Sequence, residues 1–376
     1  MQKNITNDTV KWEASGEYPV QFIDDAFGEG NENLIALIRQ ITGQDTPRLL
    51  IIADSNVVQR MADLGKKIGS FITKYSLSLA TDPIILQGGE KIKSGNLDNA
   101  INILNTAIEA KLGKDDLAIV IGGGSVIDVA CWACAQIRGG VKTLRMPTTN
   151  AAMIDSALSP CACINTVNVK DAIKLLAHPA GVVIDTTYLA SLLDGVWRGG
   201  LSEIIRVATC ADAALVRTVA KNAKALYDRN LDVAIPIIKS ALSCRIKNGP
   251  SHFALWSALR LEAMSGYRLP HGYAVAIGIC IDCAYGVHTK KMTSAAQELV
   301  CRALSDCGSL ECLSHSGHLL SQTDKILFGL DAWKLTTGDS QIAIPTGVGK
   351  PAVFCRPDRE SFALILKDFM KANQEE

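Results

Sequence analysis

The sequence has no excess charge of either sign: across 376 residues, 38 Lys and Arg face 38 Asp and Glu. A balanced chain offers no electrostatic footprint for nucleic acid or an anionic membrane surface, which leaves a small molecule as the expected partner. Long apolar runs are missing too, and no window approaches the roughly eighteen uninterrupted apolar residues of a membrane helix. The opening stretch MQKNITNDTVKWEASGEYPV lacks the apolar segment of a secretory signal, so a cytoplasmic protein is expected. There is no internal repeat and no low-complexity segment. What remains is a foldable composition, 48% hydrophobic and 20% charged, far from that of a disordered chain. The 12 cysteines lie mainly inside apolar helical stretches, where reduced thiols are expected. Cys131/Cys134 and Cys280/Cys283 have zinc-pair spacing, but both sit in apolar runs of helix length, where cysteine serves as a small hydrophobe.

A chain this long exceeds what one hydrophobic core usually serves, so two packed domains are expected. The first half alternates short β-branched runs with longer amphipathic ones, the pattern of βαβ units in a doubly wound parallel sheet. Strands are expected at Leu49 to Ala53, Ile84 to Leu86, Leu117 to Ile121, Thr143 to Met146 and Val182 to Ile184. Helices are expected at Val57 to Lys74, Leu97 to Ala110 and Ser125 to Ile137. In such a sheet the ligand crevice lies at the carboxyl ends of the strands. From about Tyr188 the strand signal fades. The segments Leu201 to Ala225, Leu231 to Ile246, Ala274 to Tyr285 and Ala295 to Ser305 then read as an all-helical second domain. The division predicted is an α/β domain over 1–187 and a helical domain over 188–376.

After the strand Leu117 to Ile121 comes Gly122-Gly123-Gly124-Ser125, followed directly by a helical run. Glycines there let backbone N–H groups approach a phosphate closely, and the helix N-terminus adds partial positive charge, so a pyrophosphate is the natural guest. Tight strand-to-helix turns also need glycine for steric reasons alone, and the turn is one landmark among several. Gly89-Glu90-Lys91-Ile92-Lys93-Ser94, Met146-Pro147-Thr148-Thr149, Ile154-Asp155-Ser156, Ile184-Asp185-Thr186 and Gly200-Leu201-Ser202-Glu203-Ile204-Ile205 stand in order around it. In motif order and spacing, Gln87 to Glu203 resembles the sugar-phosphate cyclases, the family of 3-dehydroquinate synthase and 2-epi-5-epi-valiolone synthase. Leu193-Asp194-Gly195-Val196-Trp197-Arg198 and Ser159-Pro160 look closer to the valiolone type. The glycine turn alone would also suit glycerol-1-phosphate and iron-containing alcohol dehydrogenases; the Pro-Thr-Thr and Ile-Asp-Ser pieces favour the cyclases.

The resemblance implies a dehydroquinate synthase-like fold, a Rossmann-like NAD-binding domain followed by a helical metal-and-substrate domain, in a homodimer. It carries cofactor contacts over to Asp54, Asn56, Glu90, Lys93, Gly123, Gly124, Asp128, Thr148, Thr149 and Asp155. A carboxylate just after a strand can accept ribose hydroxyl hydrogen bonds, which gives Asp54 a physical rationale. The family holds a divalent metal, zinc or cobalt, with one glutamate and two histidines. Glu203 and His271 match two of these. The third belongs in a Gly-His-Thr segment, where this chain reads Phe253-Ala254-Leu255, and His252 is the nearby substitute. Where the family carries Glu-Ile-Ile-Lys this chain has Glu203-Ile204-Ile205-Arg206, and arginine, unlike lysine, cannot shuttle a proton. Lys170 and Lys247 match family lysines, and Lys334 lies near a lysine cluster used for phosphate. The candidate catalytic set is therefore Glu203, His271, Lys170, Arg206 and Lys247.

The expected function is NAD-dependent cyclisation or elimination, a lyase-type reaction of specialised metabolism on a polyol or cyclitol-like small molecule, with altered metal and phosphate sites. The alternative is a redox-free enzyme or ligand-binding homologue for a less polar molecule, motivated by Leu255, Leu259 and Cys161 where the family has polar residues.

Overall fold

The computed structural model describes residues 15–372 apart from 96, 138, 167 and 168. Most of the opening stretch (1–14) and the acidic end Gln374-Glu375-Glu376 lie outside the described residues. Seven strands form one sheet: β1 (Val20–Phe22), β2 (Arg48–Asp54), β3 (Ser78–Leu79), β4 (Ile84–Leu86), β5 (Leu117–Gly122), β6 (Lys142–Pro147) and, after a hairpin of β7 (Cys161–Thr166) and β8 (Val169–Leu176), β9 (Gly181–Ile184). Their order is β1-β9-β6-β5-β2-β3 with β4 also on β2, and every pairing is parallel. A parallel sheet covered on both faces needs strands apolar throughout, and this explains Leu49-Leu50-Ile51-Ile52 and Leu117-Ala118-Ile119-Val120-Ile121. Alternate residues divide between two cores. Leu50, Ile52, Ala118 and Val120 join a cluster continuous with the helical half, whereas Leu49, Ile51, Leu117 and Ile119 face a second one.

Five helices matter for the site: α1 (Gly124–Gln136), α2 (Asp194–Thr209), α3 (Leu231–Asn248), α4 (Leu255–Met264) and α5 (His271–His288). Cys131 and Cys134 lie in the core on the buried face of α1, and Cys280 and Cys283 are buried in α5. Two expected helices are subdivided. Val57 to Lys74 leaves helical geometry at Met61. The long run from Leu201 is cut because Asp212 accepts from the N–H groups of Ala214 and Leu215 and starts a new helix. The helical half also carries the small antiparallel pair β10 (Ile342–Ile344) and β11 (Val353–Cys355). Among the described residues no helix is long and apolar enough to cross a membrane.

α2 and α5 cross with almost no space between backbones. A Cβ at Gly272 would lie 2.2 Å from the Gly199 carbonyl, and the Ser202 hydroxyl donates to the Gly272 carbonyl at 2.7 Å. That crossing sets the start of α5, with His271, against the middle of α2, with Glu203.

Candidate active site

A cleft of about 520 Å³ runs from the carboxyl ends of β2, β5 and β6 to the facing ends of α2, α4 and α5. At the sheet end the chemistry is that of a cradle. Asp54, ending β2, accepts from the Asn56 backbone at 2.8 Å and its side chain at 3.0 Å. Burial raises its carboxyl above the usual range. A Cβ at Gly88 would fall 2.3 Å from Asp54 Oδ2, so only glycine lets this strand end pass so close. β5 turns through Gly122 and Gly123 into α1, whose N-terminus has no side-chain cap; its first-turn N–H groups are left for water or a ligand. Thr148 is buried, donating its N–H to the Gly122 carbonyl at 3.0 Å, and Thr149 caps the short helix after β6.

Glu90, Lys93 and Asp128 form the floor. Lys93 is buried, 3.2 Å from Glu90 and 2.7 Å from Asp128, and it also binds Asp171. Burial works against the Lys93 charge, but these three carboxylates outweigh it and raise its pKa well above normal. Ser125 donates to Glu90 at 2.7 Å and Asn165 at 3.1 Å.

At the helical end the charges alternate in a continuous chain. Arg245 binds Asp155 at 2.8 Å and Asp155 binds Arg206 at 2.9 Å. Arg206 binds Glu203 at 2.8 Å, and Glu203 Oε1 lies 3.2 Å from His271 Nε2. The other nitrogen of His271 meets Glu262 at 2.7 Å, Glu262 meets Lys170 at 2.6 Å, and Lys170 lies 3.3 Å from Glu90. Burial would raise Glu203, but Arg206 and His271 outweigh it and bring the carboxyl down to about 2. For His271, burial favours the neutral ring, yet Glu262 and Glu203 prevail and lift it to about 10. Its side chain keeps 36% of its surface open. An imidazolium at neutral pH is thus presented to the cleft as a hydrogen-bond and proton donor.

Of the residues expected from sequence, the structure brings Asp54, Asn56, Glu90, Lys93, Gly123, Gly124, Asp128, Thr148, Thr149, Asp155, Lys170, Glu203 and His271 into this one cleft. Asp155 stands at the helical end, both of its oxygens held by arginines, rather than in the glycine cradle. Arg206 lies fully buried behind Glu203 and does not line the cleft. Lys247 is exposed on α3 outside the cleft, and Arg245 of the same helix reaches the site instead; Lys334 is likewise exposed and outside. His252 is not a cleft residue: its ring packs edge-on against Trp333 and Phe354. Sequence reasoning missed Glu262, Arg245 and Asp171. Glu262 had a readable signal, because Leu255, Leu259 and Glu262 at helical spacing share one face of α4.

Residues 83–198 match the family model for the 3-dehydroquinate synthase N-terminal region. The 3-dehydroquinate synthase of Acidithiobacillus ferrooxidans is 31% identical over 243 residues, covering 61% of this chain and 64% of that one, slightly under two thirds of the relative's length. That of Thermoanaerobacter pseudethanolicus is 28% identical over 280 residues, covering 71% and 74%. A 2-epi-5-epi-valiolone synthase from Streptomyces hygroscopicus, solved with NAD+ and Zn2+ bound, superposes with a TM-score of 0.80 at 18% identity over 97% of this chain and 99% of that one. A 2-deoxy-scyllo-inosose synthase complexed with carbaglucose-6-phosphate, NAD+ and Co2+ gives 0.75 at 17% identity over 93% and 96%. Residues 83–198 are thus of the 3-dehydroquinate synthase kind, and the chain as a whole is similar to sugar-phosphate cyclases. Its fold is the dehydroquinate synthase-like one throughout.

The divalent metal expected of a cyclase of this superfamily does not fit the residues present. Glu203 and His271 meet, but the segment that should bring a third ligand presents Leu255 to the cleft. Ala254 is pinned beside it, its N–H bonded to Asp282 at 2.9 Å. Glu203 Oε2 is already held by the fixed charge of Arg206. Among the described residues no group of three or more His, Cys, Asp or Glu side chains is placed to hold a metal ion. A second positive centre between Glu203 and His271 would stand beside the guanidinium with only two ligands, short of the three protein ligands usual for a catalytic metal.

Proposed function

We propose that this protein is an NAD-dependent cyclase or lyase of specialised metabolism, acting on a polyol or cyclitol-like small molecule by a redox-neutral route that uses no metal. The observation that carries the reading is that a dinucleotide cradle and an acid–base cluster line one cleft. The cradle fits NAD: the uncapped start of α1 can receive the pyrophosphate, and Asp54 can accept from ribose hydroxyls. A Cβ at Gly124 would meet Ser156 Oγ at 2.7 Å, so the turn is drawn as tight as glycine permits. When bound, the nicotinamide supplies a hydride acceptor that can return what it takes.

The chain's own residues then have separate tasks. His271 donates to a substrate oxygen on which negative charge develops, which makes a neighbouring C–H more acidic. Glu262 fixes the ring through Nδ1 and leaves Nε2 toward Glu203 and the cleft. Glu203 Oε1 is the acceptor beside it, and Lys170, 2.6 Å from Glu262, holds that carboxylate in place. The homodimer and the cytoplasmic setting expected from sequence belong to this proposal.

Titration calorimetry with NAD+ tests the reading. Saturable binding is expected within roughly 1 µM–1 mM, the range typical of substrates and cofactors. Gly124→Val, which puts a side chain into the cradle, should remove it, with circular dichroism verifying that the variant remains folded. A second reading, redox-free chemistry on a less polar molecule, is favoured by the apolar wall of Leu255, Leu259 and Leu269. It gains if the wild-type protein gives no NAD+ binding.

A further inference from the structure

We infer that the substrate held at the helical end of this cleft carries no phosphate: the site selects an uncharged polyol whose hydroxyls donate to carboxylate oxygens. The inference rests on the proposed NAD-dependent reading and narrows its substrate class.

Three observations carry it. First, the cations at this end are already neutralised by side chains of the protein. Lys93 meets three carboxylates, Lys170 two, Arg206 two and Arg245 one. A dianion could be held only by displacing these carboxylates, each then left close to the phosphate. Second, the wall is acidic, with seven Asp and Glu side chains lining the cleft against four Lys and Arg. Of those four, Arg60 stands at the strand end and Arg268 is exposed on the loop before α5, its Nε donating to the Ser265 carbonyl at 3.0 Å. A dinucleotide in the cradle adds negative charge and tips the balance further. Third, two buried polar atoms of cleft residues have hydrogen-bonding capacity to spare: Glu203 Oε1, an acceptor whose neighbour is His271 Nε2 at 3.2 Å, and the Tyr267 hydroxyl. Buried polar groups are rarely left so, and a neutral hydroxyl can donate to the first and pair with the second without adding charge.

The consequence for an elimination is that the departing group is a hydroxyl rather than phosphate. The C–O bond breaks with its electron pair on oxygen, the carbon beside the ketone gives up a proton, and the leaving oxygen takes a proton from the site and departs as water. Hydride removed at the start returns at the end, so no further oxidant is required.

The test uses full-length protein saturated with NAD+, with saturation itself verified by calorimetry. Paired probes are then compared: sorbitol with sorbitol 6-phosphate, myo-inositol with its monophosphate, and inorganic phosphate alone. At least one neutral member should bind about tenfold tighter than its phosphate ester, and inorganic phosphate should not compete with it. Glu203→Gln, if it folds, should narrow that preference and leave NAD+ affinity unchanged. Tighter binding of either phosphate ester, competition by inorganic phosphate, or silence from both neutral probes overturns the inference. Absence of NAD+ binding at the first step overturns the proposed function instead.

Discussion

Arg206 shows how one residue can redefine a site without touching its ligand. Its guanidinium is fully buried and spans Glu203, Asp155 and the Ser251 carbonyl. A lysine ammonium is a point charge with no planar fork, so it could not hold both carboxylates in one plane. Removing one partner of such a buried pair leaves the other charge uncompensated, a loss of about 3–5 kcal/mol. Arg206→Ala should therefore lower the unfolding free energy by that much, read as an earlier urea midpoint with the slope of the transition unchanged. The acid limb gives a second reading of the same contact. The Glu203 carboxyl is brought from 4.5 down to about 2 in the folded protein. Its contribution is then complete above the unfolded value and lost as the pH falls through the folded one. In Arg206→Ala that window should flatten, because the largest of the interactions that hold the carboxylate charged is gone. A variant as stable as wild type at neutral pH, with the same acid limb, would remove Arg206 from the account.

At the level of elements, what was legible in the sequence depended on whether partners were neighbours along the chain. The glycine cradle was readable because Gly122 to Ser125 follow a strand directly and open a helix, all within one short stretch. Arg245 and Asp171 were not, because they come from α3 and β8 and converge only after the helices pack, and Glu262 left no more trace than its shared face with Leu255 and Leu259. α4 itself escaped prediction for a physical reason: it lies between α5 and the helix Thr323–Thr337, so apolar residues surround much of it and no single stripe stands out. The hairpin of β7 and β8 was missed because it is an antiparallel pair outside the sheet, within a region read for parallel units. The α2–α5 crossing has a sequence signal in Gly199-Gly200 and Gly272, but only the packing reveals what the glycines are for. At Gly272 a methyl group would strike backbone, which cannot turn aside as a side chain can. Gly272→Ala should lose roughly 1–3 kcal/mol through overpacking. It should also push His271 away from Glu203, which hydrogen exchange at the start of α5 would register as weaker protection. Unchanged melting and unchanged protection would mean that the helices separate freely there and that the crossing does not fix the site.

For the molecule as a whole, the likeness to the cyclases and the proposed metal-free chemistry rest on different parts of the chain. The fold is carried by the sheet and its glycine turn, where the family model matches. The metal site that the resemblance implies needs three side chains from three separate helical segments, and this chain presents two, which would leave a divalent ion held mainly by water. Charge points the same way: Arg206 already compensates Glu203, and Lys170 already compensates Glu262. The purified protein should accordingly carry no stoichiometric zinc or cobalt by elemental analysis, and a chelator should leave its NAD+-bound melting temperature unchanged. The complementary variant makes the claim specific. Leu255→His combined with Arg206→Lys supplies a ligand at the cleft-facing position of the altered segment and replaces the clamping guanidinium with the family's residue. With Co2+ it should give the visible absorption of a ligated ion, which the wild-type chain should not. If the wild-type protein instead retains one metal per chain through a chelator wash, a ligand must come from elsewhere in the assembly, and the redox-neutral chemistry proposed here would have to be redrawn around it. If neither chain binds Co2+, the loss goes deeper than two side chains and lies in how α4 and α5 are set against α2.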